Sequence, residues 1–200
     1  MKSLTQHITE KLVLNNNVKI RKYNYYPKTR SELKELIYKL IEERGNEADL
    51  NDIDTSEITD MSYIFYKSKF NGDISHWDVS NVEDMIYLFA ESDFNGDISE
   101  WNVSKVKNMR NMFDDSHFNG DISEWNVSNV ENMCFMFRGS IFNGDIAKWN
   151  VSKVIDMHEM FSSSQFNQDI SKWDVSNATD TYSMFYDSQI KKEYKPKFNK

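Results

Sequence analysis

Hydrophobic positions recur along most of this chain every 24 residues. Within residues 70–93 the regularly apolar positions are Phe70, Ile74, Trp77, Val79, Val82, Met85, Leu88 and Phe89. The pattern begins again at Phe94, Phe118, Phe142 and Phe166, with no insertion or deletion. Residues 46–69 hold a weaker copy that lacks the phenylalanine, glycine and tryptophan of the others. A fixed period predicts units that stack on one another, so residues 46–189 divide into six units: 46–69, 70–93, 94–117, 118–141, 142–165 and 166–189.

The spacing inside one unit predicts two short elements. Val82, Met85, Leu88 and Phe89 follow one another at helical intervals, which predicts a helix of about two turns. Asn71 and Gly72 mark a turn, and residues 73–75 are typical of a very short strand with Ile74 directed inward. Because neither element is stable alone in water, we expect packing between neighbours to hold them. The predicted fold class is therefore an α/β repeat solenoid with one short parallel strand and one short helix in each unit.

The two ends of the chain differ from the repeats. Residues 1–45 predict a small α/β cap for the open end of the stack: residues 18–26 alternate like a strand, and a helix begins after Thr29 and stops at Gly45. The apolar face of this helix consists of Leu33, Leu36, Ile37, Leu40 and Ile41. A separate partner-binding element is the alternative for this region. Residues 190–200 are expected to form a basic C-terminal tail.

Charge and composition narrow the function classes. Residues 46–189 carry 26 Asp and Glu against nine Lys and Arg, and such an acidic surface repels phosphate backbones, so we expect no nucleic-acid partner. The single cysteine, Cys134, excludes an intramolecular disulfide. The sequence shows no membrane span, no signal peptide and no cysteine for lipid attachment near its start. An intracellular location is the expectation for the chain as given.

The string MFxxSxxFNxDISxWxVSxVxxM resembles the repeat of BspA-like leucine-rich-repeat proteins, in the variant first described in mycoplasma lipoproteins. The resemblance covers residues 70–189 closely and residues 46–69 loosely. It implies a leucine-rich-repeat-like solenoid and a role in surface interaction or adhesion, without catalysis. Members of that family are often located at the cell surface, whereas this sequence lacks their export signal and lipid-attachment cysteine.

Two columns of side chains are the same in nearly every unit. One column is acidic and consists of Asp73, Asp97, Asp121, Asp145 and Asp169. If Ile74 points inward, these carboxylates point outward by strand alternation, where they either accept hydrogen bonds from turn amides or bind a cation such as calcium. The other column contains the five tryptophans, Trp77, Trp101, Trp125, Trp149 and Trp173. An aromatic residue in phase with a repeat is usually core; a stacking platform for sugars is the alternative.

Other positions vary from unit to unit and lie between core positions of the predicted helix, so they are expected to face solvent. Many of them are aromatic, and clustered exposed aromatic residues mark interaction sites. The candidate partner-binding residues are Tyr63, Tyr66, Ile86, Tyr87, Arg110, Phe135, His158, Tyr182 and Tyr186.

The sequence contains no recognisable constellation for catalysis. The four histidines occupy unrelated positions in the repeat, and there is neither a phosphate-binding glycine loop nor a zinc motif. We therefore expect a non-catalytic protein-protein interaction module with no cofactor and a protein as its partner. A carbohydrate- or cation-binding repeat module and a purely structural spacer are the alternatives.

Overall fold

A computed structural model describes residues 22–198, and its main feature is a hydrogen-bonded ladder between the repeat units. In the first unit, the N–H groups of Met61, Tyr63, Phe65 and Lys67 donate to carbonyl oxygens of the second unit. The same four positions donate in each of the next four units, at N···O distances of 2.7 to 3.0 Å. We call residues 61–67 and their equivalents (85–91, 109–115, 133–139, 157–163 and 181–187) the ladder segments. The units therefore stack in register, 24 residues apart.

The predicted α/β solenoid with a strand and a helix in each unit is wrong. Between residues 22 and 198 there is one α-helix, α1 (Arg30–Arg44), one short 3-10 helix (Lys192–Tyr194), and no strand longer than an isolated bridge. The bridges of successive units link Asp60 to Asp84 and continue at 24-residue steps to Asp180. Turns make up the repeats instead.

The backbone explains why the predicted helix at residues 82–89 does not form. The N–H groups of Met85, Tyr87 and Phe89 donate to the next unit, whereas an α-helix would direct them to carbonyls four residues earlier in the same segment. Tyr87 and Glu91 also have φ angles of 53°, which an α-helix does not contain. A ladder segment, in which every second N–H points toward the next unit, thus shows the same apolar spacing as a helix.

The predicted strand at residues 73–75 is absent for a local reason. The Asp73 carboxylate accepts the N–H of Ser75 at 2.9 Å, so this backbone donor is used inside the turn. Only Asp73 pairs with the preceding unit, through an isolated bridge to Asp49. The Ile74 side chain is nevertheless buried and the Asp73 side chain is exposed, as the alternation predicted.

Each ladder segment carries two left-handed residues. The two positions are Tyr63 and Lys67 in the first unit and their equivalents in every other unit, with φ between 48° and 64°. Only Gly139 among these twelve positions is a glycine. A left-handed conformation costs a non-glycine residue about 1–2 kcal/mol. The hydrogen bonds and the packing of the stack offset this strain.

The core consists of side-chain columns that run along the stack. Phenylalanines at the first and twentieth positions of the units stack ring on ring, for example Phe89 on Phe94 at a centroid distance of 4.3 Å. The five tryptophans are buried, with at most 5% of each residue exposed. Each indole N–H donates to a carbonyl of the preceding unit, as from Trp125 to Ile98 at 3.1 Å. The prediction that the tryptophans belong to the core is confirmed.

The predicted helix of the N-terminal region is present as α1. The hydroxyl of Thr29 accepts the N–H of Glu32, and Gly45 ends the helix with φ of 87°. Leu33, Ile37 and Leu40 are fully buried in the same hydrophobic cluster as the repeats. The cap prediction for residues 1–45 and the strand prediction for residues 18–26 fall partly outside the described residues. Within them, Tyr25 forms a single parallel bridge with Ile53.

At the other end, residues 190–198 lie on the sixth unit. Ile190 is buried, and the N–H of Lys191 donates to the side-chain oxygen of Asn167 at 3.0 Å. The N–H of Ile170 donates to the carbonyl of Tyr194. The first part of the predicted basic tail therefore continues the stack, with its lysines on the outside.

Glycine at a left-handed ladder position should stabilise the protein. Ser163 is exposed, has φ of 55° and donates its N–H to Tyr186, so Ser163→Gly keeps the hydrogen bond and removes the strain. We expect a gain of about 0.5–1 kcal/mol in the free energy of unfolding, measured in urea. Ser176→Gly is the control: this exposed serine has no positive φ, so its replacement should lower stability. Equal effects of both substitutions would contradict the strain argument.

Candidate interaction face

The variable side chains of the ladder segments lie together on one surface. They occupy three positions in each unit, represented in the second unit by Ile86, Tyr87 and Ala90. Ile86 and Tyr87 are half-buried, and Ala90 is buried like the core positions Met85 and Phe89. We name the surface formed by these three positions in all six units the aromatic face. Because the ladder fixes the units in register, side chains that are 24 residues apart become neighbours along this surface.

Three tyrosines form a cluster at the N-terminal end of the aromatic face. Tyr63 stacks on Tyr87 with ring centroids 4.8 Å apart, and Tyr66 meets both rings edge-on at 5.7 Å. Tyr66 also donates its hydroxyl to Glu91, which forms an ion pair with Lys67 at 3.2 Å. Partial burial raises the pKa of the Tyr87 hydroxyl. Three of the residues predicted from the sequence are thus in direct contact.

A second aromatic cluster lies at the C-terminal end of the face. His158 contacts Phe135 at a centroid distance of 5.0 Å and Tyr182 at 5.4 Å. Tyr182 and Tyr186 are 71% and 68% exposed. Together with Arg138 they line a shallow depression of ≈ 390 Å³. This cluster contains four further residues of the predicted set.

An ion pair with a buried carboxylate and a half-buried guanidinium lies between the two clusters. Asp114 is 3% exposed, and its two carboxylate oxygens accept hydrogen bonds from Arg138 at 2.8 and 2.7 Å. The side-chain amide of Asn111 donates to the same carboxylate at 2.7 Å. Burial raises the pKa of Asp114, although Arg138 and Asn111 favour its charged form. The guanidinium of Arg138 lies 4.8 Å from the ring centre of Phe135, so the pair also supports the second cluster.

The remaining predicted residues occupy the middle of the face. Ile86 is half-buried, and Arg110 is exposed. Cys134, at the equivalent position of the next unit, is 3% exposed, and burial raises its pKa to about 12, which makes it a poor nucleophile. The structure thus places all nine predicted residues on one surface. Sequence reasoning missed Asp114, Asn111 and Arg138. The signal for the ion pair was opposite charge 24 residues apart, at a position that is small or aromatic in the other units.

The aromatic face lies on the concave side of the stack. Equivalent rings of neighbouring units on the aromatic face are 4.8 Å apart at Tyr63 and Tyr87 and 5.4 Å apart at His158 and Tyr182. They are 5.5 to 5.8 Å apart in the phenylalanine column that includes Phe65. On the far side of the core, Trp77 and Trp101 are 6.4 Å apart, and Trp149 and Trp173 are 6.5 Å apart. In a regular superhelix, equivalent points are displaced further per repeat the further they lie from the axis. The aromatic face is therefore nearest the axis, on the concave surface that repeat proteins commonly use for binding.

The acidic column has a structural role inside its own turns. Each of these carboxylates accepts the N–H of the residue two positions later at 2.9 Å, as Asp121 does from Ser123. This hydrogen bond lowers the pKa of Asp121, and the equivalent bond from Ser171 lowers that of Asp169. Similar turns recur at two more positions of each unit, for example Asp78 with Ser80 and Asp84 with Ile86. At the first two of these positions, the recurring Asp or Asn two residues before Ser was the sequence signal for the turn.

Neighbouring asparagines link the same corner of the units. The side-chain oxygen of Asn95 accepts the N–H of Asn119 at 2.8 Å, and the same bond joins each adjacent pair from Asn71 to Asn167. In the described part of the chain, no group of three or more His, Cys, Asp or Glu side chains has the arrangement of a metal site. Because the tryptophan rings are buried and hydrogen-bonded, they offer no exposed surface on which a sugar could stack. Within residues 22–198, no helix has both the length and the apolar character needed to cross a membrane.

The lowered pKa of Asp121 predicts a pH effect on stability. The folded protein favours the charged form of the Asp121 carboxyl group, which stabilises the fold at pH values above the ordinary pKa of 3.8. This stabilisation is lost as the pH falls through the lower pKa of the folded state. Asp121→Asn keeps the acceptor oxygen at every pH. We therefore expect this variant to lose less stability than wild type between about pH 6 and pH 3, measured by urea unfolding. Asp121→Ala, which lacks the acceptor, should be less stable than wild type at pH 6. Parallel pH profiles for wild type and Asp121→Asn would refute the assignment.

Comparison with known proteins identifies a family but no characterised relative. A family model described as "Mycoplasma protein of unknown function, DUF285" matches residues 32–141 and, in a second overlapping match, residues 101–198. The two matches together cover α1, all six units and most of the C-terminal segment. No curated protein and no solved structure matches the chain significantly.

Proposed function

The chain belongs to the DUF285 family, and we propose that it is a non-catalytic protein-interaction module that binds a partner protein through the aromatic face. The observation that carries this proposal is the position of the nine variable residues on one concave surface. The neighbouring columns of the stack repeat almost unchanged, whereas this surface differs in every unit. Variation confined to one surface is expected when the scaffold is fixed and recognition is local.

The chemistry of the face suits a protein partner. Tyrosine and arginine are enriched in protein interfaces because they combine apolar contact with hydrogen bonding. The tyrosine cluster holds its rings against one another, so little side-chain freedom remains to be lost on binding. The ion pair of Asp114 and Arg138 likewise holds the centre of the surface in place. A preorganised surface of this kind favours specific association.

The similarity of the repeat to BspA-like leucine-rich repeats supports the same class of function. That resemblance implies surface interaction or adhesion for proteins with this 24-residue motif. We take from it the class of function and not the fold, since strands and helices are absent from the repeats. The proposal assigns no catalytic residue and no cofactor to the chain.

Removal of the exposed tyrosines should abolish binding without unfolding the protein. Tyr182 and Tyr186 are each more than two-thirds exposed. The variant with alanine at both positions should therefore melt within a few degrees of the wild-type protein. Immobilised wild-type chain should capture a specific protein from an extract of the cells that produce it, and the double variant should not.

Two tyrosines outside the aromatic face provide a matched control. Tyr26 and Tyr38 are 62% and 51% exposed and lie before and within α1. A Tyr26→Ala and Tyr38→Ala double variant should capture the same protein as wild type. If the partner is retained by the Tyr182 and Tyr186 variant, or lost with the control variant, then binding does not depend on the aromatic face.

A further inference from the structure

One cation on the aromatic face is left without a carboxylate. Lys67, which borders the face, is paired with Glu91 at 3.2 Å, and Arg138 is paired with Asp114 at 2.7 Å. His158 lies within 3.5 Å of two carboxylates. Arg110 differs from these three, because no carboxylate of residues 22–198 is within ion-pair distance of its guanidinium.

The surroundings of Arg110 leave its charge available to a ligand. The side chain is exposed, and its Nε donates to the side-chain oxygen of Asn111 at 3.2 Å. This bond uses the inner edge of the guanidinium and leaves the terminal amino groups for an external acceptor. Planar guanidinium groups bind carboxylates through paired hydrogen bonds.

Arg110 is also placed between the two aromatic clusters. Its carbonyl accepts the N–H of Tyr87 from the preceding unit, and the N–H of Asn111 donates to Cys134 of the next unit, where Phe135 follows. One unit step along hydrogen-bonded backbones is about 4.8 Å. Tyr87 and Tyr63 therefore lie roughly one and two steps from the cation on one side, and Phe135 and His158 roughly one and two steps on the other.

We propose that the aromatic face binds an extended peptide segment of the partner in which an Asp or Glu pairs with Arg110 and apolar side chains two residues before and after it pack on the two aromatic clusters. In an extended peptide, residues two apart project from the same side and are about 6.6–6.8 Å apart. That distance lies between one and two unit steps, so both apolar side chains reach the clusters while the carboxylate is at Arg110. This inference rests on the proposed function, since it specifies the ligand of the same face.

A peptide selection tests the inference with a defined probe. A displayed library of random twelve-residue peptides is selected on the immobilised wild-type chain, and the enriched peptides are synthesised. We expect an acid flanked by apolar residues at both second neighbours. Replacing that acid by its amide should weaken binding at least about tenfold, measured by fluorescence anisotropy.

Charge reversal at position 110 provides the decisive comparison. Arg110→Glu should reject the acidic peptides and select peptides with Lys or Arg at the central position. Arg110→Gln should bind acidic peptides and their amides equally. Lys172→Glu is the matched control, because Lys172 is exposed in the sixth unit next to Trp173, outside the aromatic face, and carries the same change of charge. It should select the same peptides as wild type.

The possible outcomes separate this inference from the function on which it rests. If no peptides are enriched, if enriched peptides show no central acid, or if Arg110→Glu binds acidic peptides as well as wild type does, the role of Arg110 is refuted. In these cases the proposed function still stands if the variant with alanine at Tyr182 and Tyr186 no longer captures the partner protein. If peptide binding depends on Arg110 but survives Phe135→Ala, which removes the ring one unit step from Arg110, the C-terminal aromatic contact is refuted.

Discussion

The four rows of backbone hydrogen bonds between ladder segments are the constraint on which the rest of the structure depends. Every second N–H of a segment donates to the next unit, and the bonds all point in one direction along the stack. This arrangement requires two left-handed residues in each unit, which are supplied mainly by residues other than glycine. It also requires a constant unit length, since one inserted residue would displace all four donors from their acceptors. The phenylalanine and tryptophan columns stack because the ladder brings equivalent side chains into line.

The same ladder separates scaffold from recognition. Positions such as Met85 and Phe89 face the core and repeat almost unchanged, while Ile86 and Tyr87 between them are half-buried on the concave side. Neighbouring units contribute side chains that are 24 residues apart in sequence, so a small set of substitutions creates a composite surface. The tyrosine cluster, the ion pair of Asp114 and Arg138, and the cluster around His158 each draw residues from more than one unit. The surface therefore depends on register as much as on residue type.

The sequence predicted what repeats and what is buried, but not how the backbone runs. The period, the core positions, the helix from Arg30 to Arg44 and the buried tryptophans follow from hydrophobic spacing, which reports burial directly. The same spacing does not distinguish a short helix from a segment with left-handed residues four apart, because both bring residues three or four apart to one side. Residues such as Tyr87 and Phe135 give no sign of positive φ in a sequence. The placement of the candidate residues on one surface followed from register alone. Register also brings Asp114 and Arg138 together, since they are 24 residues apart, but the burial of Asp114 and its bond to Asn111 needed coordinates.

The direction of the ladder has a consequence for how the end of the stack meets other molecules. In the sixth unit, the N–H groups of Thr181, Ser183, Phe185 and Asp187 have no acceptor among the described residues. The ladder edge of the sixth unit therefore consists of donors, whereas an ordinary β-strand presents donors and acceptors together along each edge. If two such edges met across a twofold axis, N–H groups would face N–H groups. An ordinary strand that docked on the edge could pair only its carbonyl groups, which are half of its hydrogen-bonding groups. The polarity of the ladder thus opposes the edge-to-edge pairing by which uncovered sheets aggregate.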